Sequence, residues 1–144
     1  MKKIIFATLL ATAMGVAQAA DVGVSAGWDN AGRHGDSTLG VSASLPVHGP
    51  YGVAVELDKR SELNRVGVLG TYDVAKVLGA SVVAKAGLAL VDPDRGSNLT
   101  LAQVGVGATL PLVDKLSLVA DYRYQLGEGS WDGSRVTAGF TYKF

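Results

Sequence analysis

Apolar and polar residues alternate with a period of two along almost all of the chain beyond position 21. In the first segment Val22, Val24, Ala26 and Trp28 share one face, and Gly23, Ser25 and Gly27 the other. Successive side chains of an extended strand point to opposite sides, so this pattern predicts a strand whose two faces meet different surroundings. The polar stretch Asp29 to Ser37 predicts a loop. A second strand runs from Thr38 to Leu45 and breaks at Pro46 to Pro50, and a third runs from Tyr51 to Asp58 before the charged loop Lys59 to Glu62. The fourth, Leu63 to Tyr72, is less regular because Leu69 falls on its polar face.

The connection Asp73 to Gly79 has helix-like composition, but its seven residues are too few for a stable helix. Strand five covers Ala80 to Val91, and Asp92 to Gly96 is a turn containing Pro and Gly. Strand six covers Leu99 to Leu110 and stops at Pro111. Strand seven covers Leu116 to Gln125, and the Gly-rich loop Leu126 to Ser134 leads to a final strand. The expected architecture is therefore all-β, with eight antiparallel strands. None of the eight apolar faces carries a charge, whereas the opposite faces collect Glu56, Asp58, Arg65, Lys85, Asp121, Arg123, Arg135 and Lys143 among Gly, Ser and Thr.

That exclusion fits a lipid-facing surface, where an Arg or Lys near the midplane costs roughly 2–4 kcal/mol. A soluble sandwich also buries one face of each strand and is the alternative fold, as a secreted or periplasmic protein. The aromatics separate the two. Tyr51, Tyr72, Tyr142 and Phe144 fall at one end of the strands, and Trp28, Tyr122 and Tyr124 toward the other, as in the two aromatic belts of a membrane barrel.

The last nine residues supply a second sign. Val136, Ala138, Phe140, Tyr142 and Phe144 share a face and the chain stops on the aromatic. This resembles the closing strand of bacterial outer-membrane β-barrels, whose alternate apolar residues back from a C-terminal Phe are read by the barrel-assembly machinery. The mature chain as a whole resembles the small eight-stranded barrels, the group with the transmembrane domain of outer-membrane protein A, outer-membrane protein X and the opacity-like proteins. The resemblance implies an up-and-down transmembrane barrel in a Gram-negative outer membrane, with both termini periplasmic. Lipid, lipopolysaccharide and the assembly machinery would be its partners, and it would be a monomer. It is specific for fold and poor for activity, since the shared pattern concerns insertion.

Composition fits this reading. With 144 residues and no Cys, the chain has room for one domain and none for disulfides or thiol chemistry. Residues 1–19 read as a secretory signal peptide, with Lys2 and Lys3, an apolar run from Ile4 to Val16, and Ala17-Gln18-Ala19 as the cleavage site; residues 20–144 form the barrel domain. The apolar run is shorter than a spanning helix needs. Loss of the two lysines shifts the formal charge from 0 to −2, which gives no electrostatic case for nucleic acid.

An eight-stranded barrel is only wide enough for its own side chains. Glu56, Asp58, Arg65, Lys85, Gln103, Asp121 and Arg123 are expected inside it, mostly near mid-height, as a paired network that plugs the lumen. The alternative is a narrow, gated, porin-like ion path along the same residues. No cofactor and no metal site are expected: Asp29, Asp36, Asp92, Asp94, Glu128 and Asp132 lie in predicted outer loops without calcium-loop spacing. Catalysis is not expected either. The lipid A-modifying hydrolases of this size imply a His-Ser pair with a carboxylate at the outer rim; His48 lies in a periplasmic turn, and His34, near Asp36 and Ser37, has no positioned orienting group. Adhesion through the short outer loops, with Trp131 as a contact, is the remaining class, and no surface ligand is identified.

Overall fold

The computed structural model describes residues 21–31, 35–60, 63–93, 97–127 and 131–144. The signal-peptide reading, His34, Asp94 and Glu128 lie outside them. Eight strands form one closed antiparallel sheet: β1 (Asp21–Asp29), β2 (Asp36–His48), β3 (Tyr51–Arg60), β4 (Leu63–Val77), β5 (Ala80–Pro93), β6 (Leu99–Val113), β7 (Leu116–Leu126) and β8 (Gly133–Lys143). Each strand pairs with its sequence neighbour. β1 closes on β8 from Asp21↔Lys143 to Asp29↔Arg135, so no edge remains.

The strands are longer than the alternation predicts, chiefly at one end. β2 continues through Pro46 to His48, β4 takes in Asp73 to Val77 in place of the predicted connection, and β6 passes Pro111 to reach Val113. Each extension contains an irregularity in register, at Pro46/His48, Asp73/Ala75 and Pro111/Val113. A bulge shifts the in-out alternation by one residue, which is why periodicity loses the strand there, and it accommodates a proline that cannot donate to the ladder. The three turns at this end, 49–50, 78–79 and 114–115, have two residues each; at the other end 61–62 is as short, whereas segments 30–35, 94–98 and 127–132 are longer.

Register sets the barrel's shape. Following paired positions round from Asp21 through Ala54 on β3 and Gly87 on β5 to Gly133 on β8 returns to β1 about ten residues above the start. Such a stagger means steeply tilted, coiled strands, and inward positions on neighbouring strands are forced close together. At inward Gly87 and Gly139 an added Cβ would overlap the carbonyl oxygens of Val68 and Val24 respectively.

The apolar face points outward and the polar face inward, the reverse of a soluble sandwich. Val24, Leu39, Val68, Leu88, Val104 and Val136 are all more than half exposed. Leu69, on the polar face of β4, is fully buried inside the barrel. It packs the lumen in company with the buried Ala89, Val91 and Leu101 of β5 and β6.

Gly139→Val is therefore expected to lower stability by about 1–3 kcal/mol or to prevent folding. Gly70→Val, whose added Cβ meets nothing nearer than Ala86 O at 3.7 Å, should be nearly neutral. Urea unfolding of both variants in detergent micelles, followed by loss of strand circular dichroism, checks the contrast.

Candidate functional site

Inward positions on seven of the eight strands converge on a charged cluster in the middle and upper lumen, the upper end being that of the longer loops. Register explains the convergence. Asp58 of β3 lies opposite Arg65 of β4, and Arg135 of β8 lies opposite both Asp29 of β1 and Arg123 of β7.

The side chains form one alternating series of acid and base. Asp29 pairs with Arg65 at 2.7 Å, and Arg65 Nε reaches Asp58 at 3.4 Å. Asp58 accepts two bonds from the Arg135 guanidinium, one of them at 2.6 Å. Arg135 also lies 3.8 Å from Glu56, which takes a forked pair from Arg123 at 2.5 and 2.6 Å. Arg123 Nε donates to Asp121 at 2.5 Å, and Lys85 Nζ ends the series 2.7 Å from Asp121. Four carboxylates meet four cations, so the formal charge of the series is zero.

Two amides cross-link the series. Gln125 Nε2 donates to Asp29 at 3.0 Å while its carbonyl oxygen accepts from Arg65, and Gln103 accepts from Arg123 at 3.3 Å. β2 contributes space instead of a charge: a Cβ on Gly40 would collide with the Asp58 carboxylate. All of these side chains except Lys85 are buried to below a tenth of their free exposure.

The structure brings together all seven residues expected in the lumen, Glu56, Asp58, Arg65, Lys85, Gln103, Asp121 and Arg123, and adds Asp29, Gln125 and Arg135. Asp29 corrects a reading. It is the last residue of β1, with 1% exposure, and not a solvated loop charge. Asp36 and Asp92, also read as loop residues, belong to the loop ends of β2 and β5. The place of Asp29 was available from parity, because Gly23, Ser25, Gly27 and Asp29 follow one another at every second position on the inward face. Arg135 and Gln125 were likewise on the polar face; what the alternation does not convey is the stagger that lifts β8 and the top of β7 beside Asp58 and Arg65.

Apolar side chains join the network toward the loop end. Buried Ala89, Val91 and Leu101 lie toward the loop end of β5 and β6, and buried Leu69 packs lower, four residues turnward of Arg65 on β4. In the β1–β2 segment Ala31 is buried, its N–H donating to Asp29 at 2.9 Å and its carbonyl accepting from Arg60 Nη1 at 2.6 Å, while Asn30 N–H donates to Ser134 O at 2.8 Å. Below the network a cavity of about 440 Å³ opens toward the short turns, lined by Ser42, Ser44, Thr71, Thr109, Thr141 and Lys76 among others. A small void of about 40 Å³ adjoins Glu56, Asp58, Lys85, Asp121 and Arg123, large enough for water.

On the outside, Trp28, Tyr51, Tyr72, Tyr122 and Tyr124 are all substantially exposed. Tyr51 and Tyr72 face each other across β3 and β4 with ring centroids 5.1 Å apart, and Tyr142 and Phe144 make an edge contact at 5.1 Å. Tyr122 stands two residues nearer the turns than Tyr124, between Val106 and Val136, so it belongs to the middle of the wall more than to the upper rim. Val136, Ala138, Phe140, Tyr142 and Phe144 all lie on the exposed face. His48 is an exposed residue at the turn end of β2. Among the described residues, no three His, Cys, Asp or Glu side chains are grouped as a metal site.

No family model matches the chain, and no curated protein matches it by sequence. Solved structures do match in three dimensions. The N-terminal β-barrel domain of Pseudomonas aeruginosa OprF superposes with a TM-score of 0.72 at 16% identity, covering 89% of this chain and 98% of that one. The chain has the fold of the small outer-membrane β-barrels. Neisserial surface protein A superposes at 0.70 with 17% identity over 88% and 97% of the two chains. The Yersinia pestis outer membrane protein Ail, whose structure is in a phospholipid nanodisc, superposes at 0.61 with 10% identity over 88% and 99%. Identity this low carries the barrel architecture and nothing about ligands.

Removing one partner from the ion series leaves its neighbours charged, buried and short of a partner, at a cost of roughly 3–5 kcal/mol. Arg123→Met, which takes the forked partner from Glu56 and leaves Asp121 with Lys85 alone, should show a loss of that size in urea unfolding from lipid vesicles. Substituting the exposed Lys59, at the upper edge of the outer wall, should change stability by less than about 0.5 kcal/mol.

Proposed function

We propose that the chain is an integral outer-membrane barrel, a monomer, whose lumen is plugged by the ion series and whose role is structural or surface-interacting. The alternating, charge-neutral network carries this reading. Its cations and carboxylates bond to one another from seven strands, and a hydrated ion passing through would have to displace contacts of 2.5–3.0 Å at several points. The exposed apolar wall supports the membrane setting, because so large a continuous apolar surface on a soluble monomer would drive association.

Short turns at one end and longer segments at the other favour an orientation with the termini periplasmic and the loops outside, next to lipopolysaccharide. In that setting residues 1–19 serve as the export signal, and Val136, Ala138, Phe140, Tyr142 and Phe144 offer the assembly machinery a single outward stripe. Surface contacts fall to the loop end, where Trp131 is half-buried and Trp28 is exposed. The reading assigns the chain no catalytic role, no cofactor and no bound nucleic acid.

Two measurements test it. Cell fractionation should find the chain in the outer membrane with faster migration before boiling than after it on a denaturing gel; a soluble periplasmic protein without a heat shift would reject the membrane reading. In planar bilayers the purified barrel should give no steady open current, and a sustained conductance altered by Arg123→Ala would replace the plug with a gated pore.

A further inference from the structure

The exposed apolar surface does not stop at the tyrosines of the turn end. On β4 it continues past Tyr72 with Val74 and Val77, both more than half exposed, and at the hairpin tip Leu78 is 99% exposed. The turn end of β6 adds Leu112 and Val113. Leu78 also holds a left-handed φ of 51°, ahead of Gly79 at 85°. Gly, Asn and Asp are the usual residues at such a position, since a Cβ crowds the adjoining carbonyl. A large apolar side chain that is fully exposed calls for an apolar surrounding that the barrel itself does not supply.

The height of the wall indicates what surrounds it. Asn64 is the outward polar residue at the loop end of β4, and Tyr72 follows eight residues later. At about 3.3 Å per residue and a tilt of about 40° that is roughly 20 Å along the barrel axis, short of the roughly 25 Å apolar band of an outer-membrane barrel. From Asn64 to Val77, with one residue absorbed by the bulge, the same conversion reaches roughly 30 Å. The tip then stands about 5 Å past the edge of such a band, within the headgroup layer. Lys115, whose ammonium lies 5.9 Å from the Tyr142 ring, is placed to extend its charge toward phosphate from the neighbouring turn.

We propose that the β4–β5 and β6–β7 hairpin tips, led by Leu78 and Val113, are inserted among the headgroups and upper acyl chains of the inner leaflet, so that phospholipid is their partner. This rests on the membrane reading above. The tyrosines then lie within the apolar band and not at its boundary, and the barrel sits higher in the bilayer, displaced toward its loop end, than its aromatic belt indicates.

The chain has no cysteine, so Leu78→Cys, Val113→Cys, Val68→Cys and Ser97→Cys each provide a single site for a nitroxide label. Ser97 is exposed in the β5–β6 segment at the loop end and serves as the aqueous reference. In vesicles of phosphatidylcholine and phosphatidylglycerol, collision with a water-soluble nickel chelate is compared with collision with oxygen. At Leu78 the chelate should collide several-fold less often than at Ser97, and more often than at Val68 in mid-wall. If Leu78 and Val113 are as open to nickel as Ser97 while Val68 is protected, the tips are aqueous and the proposal is overturned with the membrane reading intact. Nickel access at Val68 as well would overturn both. Should Leu78→Cys fail to fold, Val113→Cys reports on the same depth.

Discussion

A backbone amide without water must find a partner in the chain, and this requirement shapes the whole molecule. An eight-strand sheet with its apolar face outward leaves β1 and β8 as edges unless they meet, and they do meet over nine residue pairs. Closure fixes the circumference, and the stagger of about ten residues fixes the tilt. The inner wall is then so tight that glycine is needed where neighbouring strands coil against each other, as at Gly87 and Gly139.

The charged interior follows from the same narrowness. A barrel of this width leaves little room for bulk water, so ionic side chains that point inward must neutralise one another. Four acids and four bases do so in a single sequence of contacts from Asp29 to Lys85, and two glutamines add bonds to Asp29, Arg65 and Arg123. The lumen is consequently asymmetric. It is filled with apolar side chains where Ala89, Val91 and Leu101 lie toward the loop end, and open where hydroxyls line the cavity near the turns.

Much of this was legible from the alternation. The eight-strand count, the outward and inward faces, and the inward side of Glu56, Asp58, Arg65, Lys85, Gln103, Asp121 and Arg123 all follow from a period of two. What periodicity misses has two physical causes. Bulges invert the parity, so β2, β4 and β6 seem to end early at Pro46, Tyr72 and Pro111 although their ladders continue. Stagger is a property of the closed sheet and not of any strand, so nothing local to Asp29 or Arg135 indicates that each sits beside partners on distant strands. Leu69 looked irregular for a related reason: an apolar residue on a polar face is an error in an open sheet and a plug in a closed one.

Closure is the feature on which the remaining structure depends, and amide hydrogen exchange in lipid vesicles tests it directly. The amides of Val22 to Trp28 and of Val136 to Tyr142 should be as strongly protected as those in the middle of β4 and β5. Rapid exchange along β1 and β8 beside slow exchange in β4 and β5 would mean an open sheet with two free edges, and would contradict the barrel and the interior built within it.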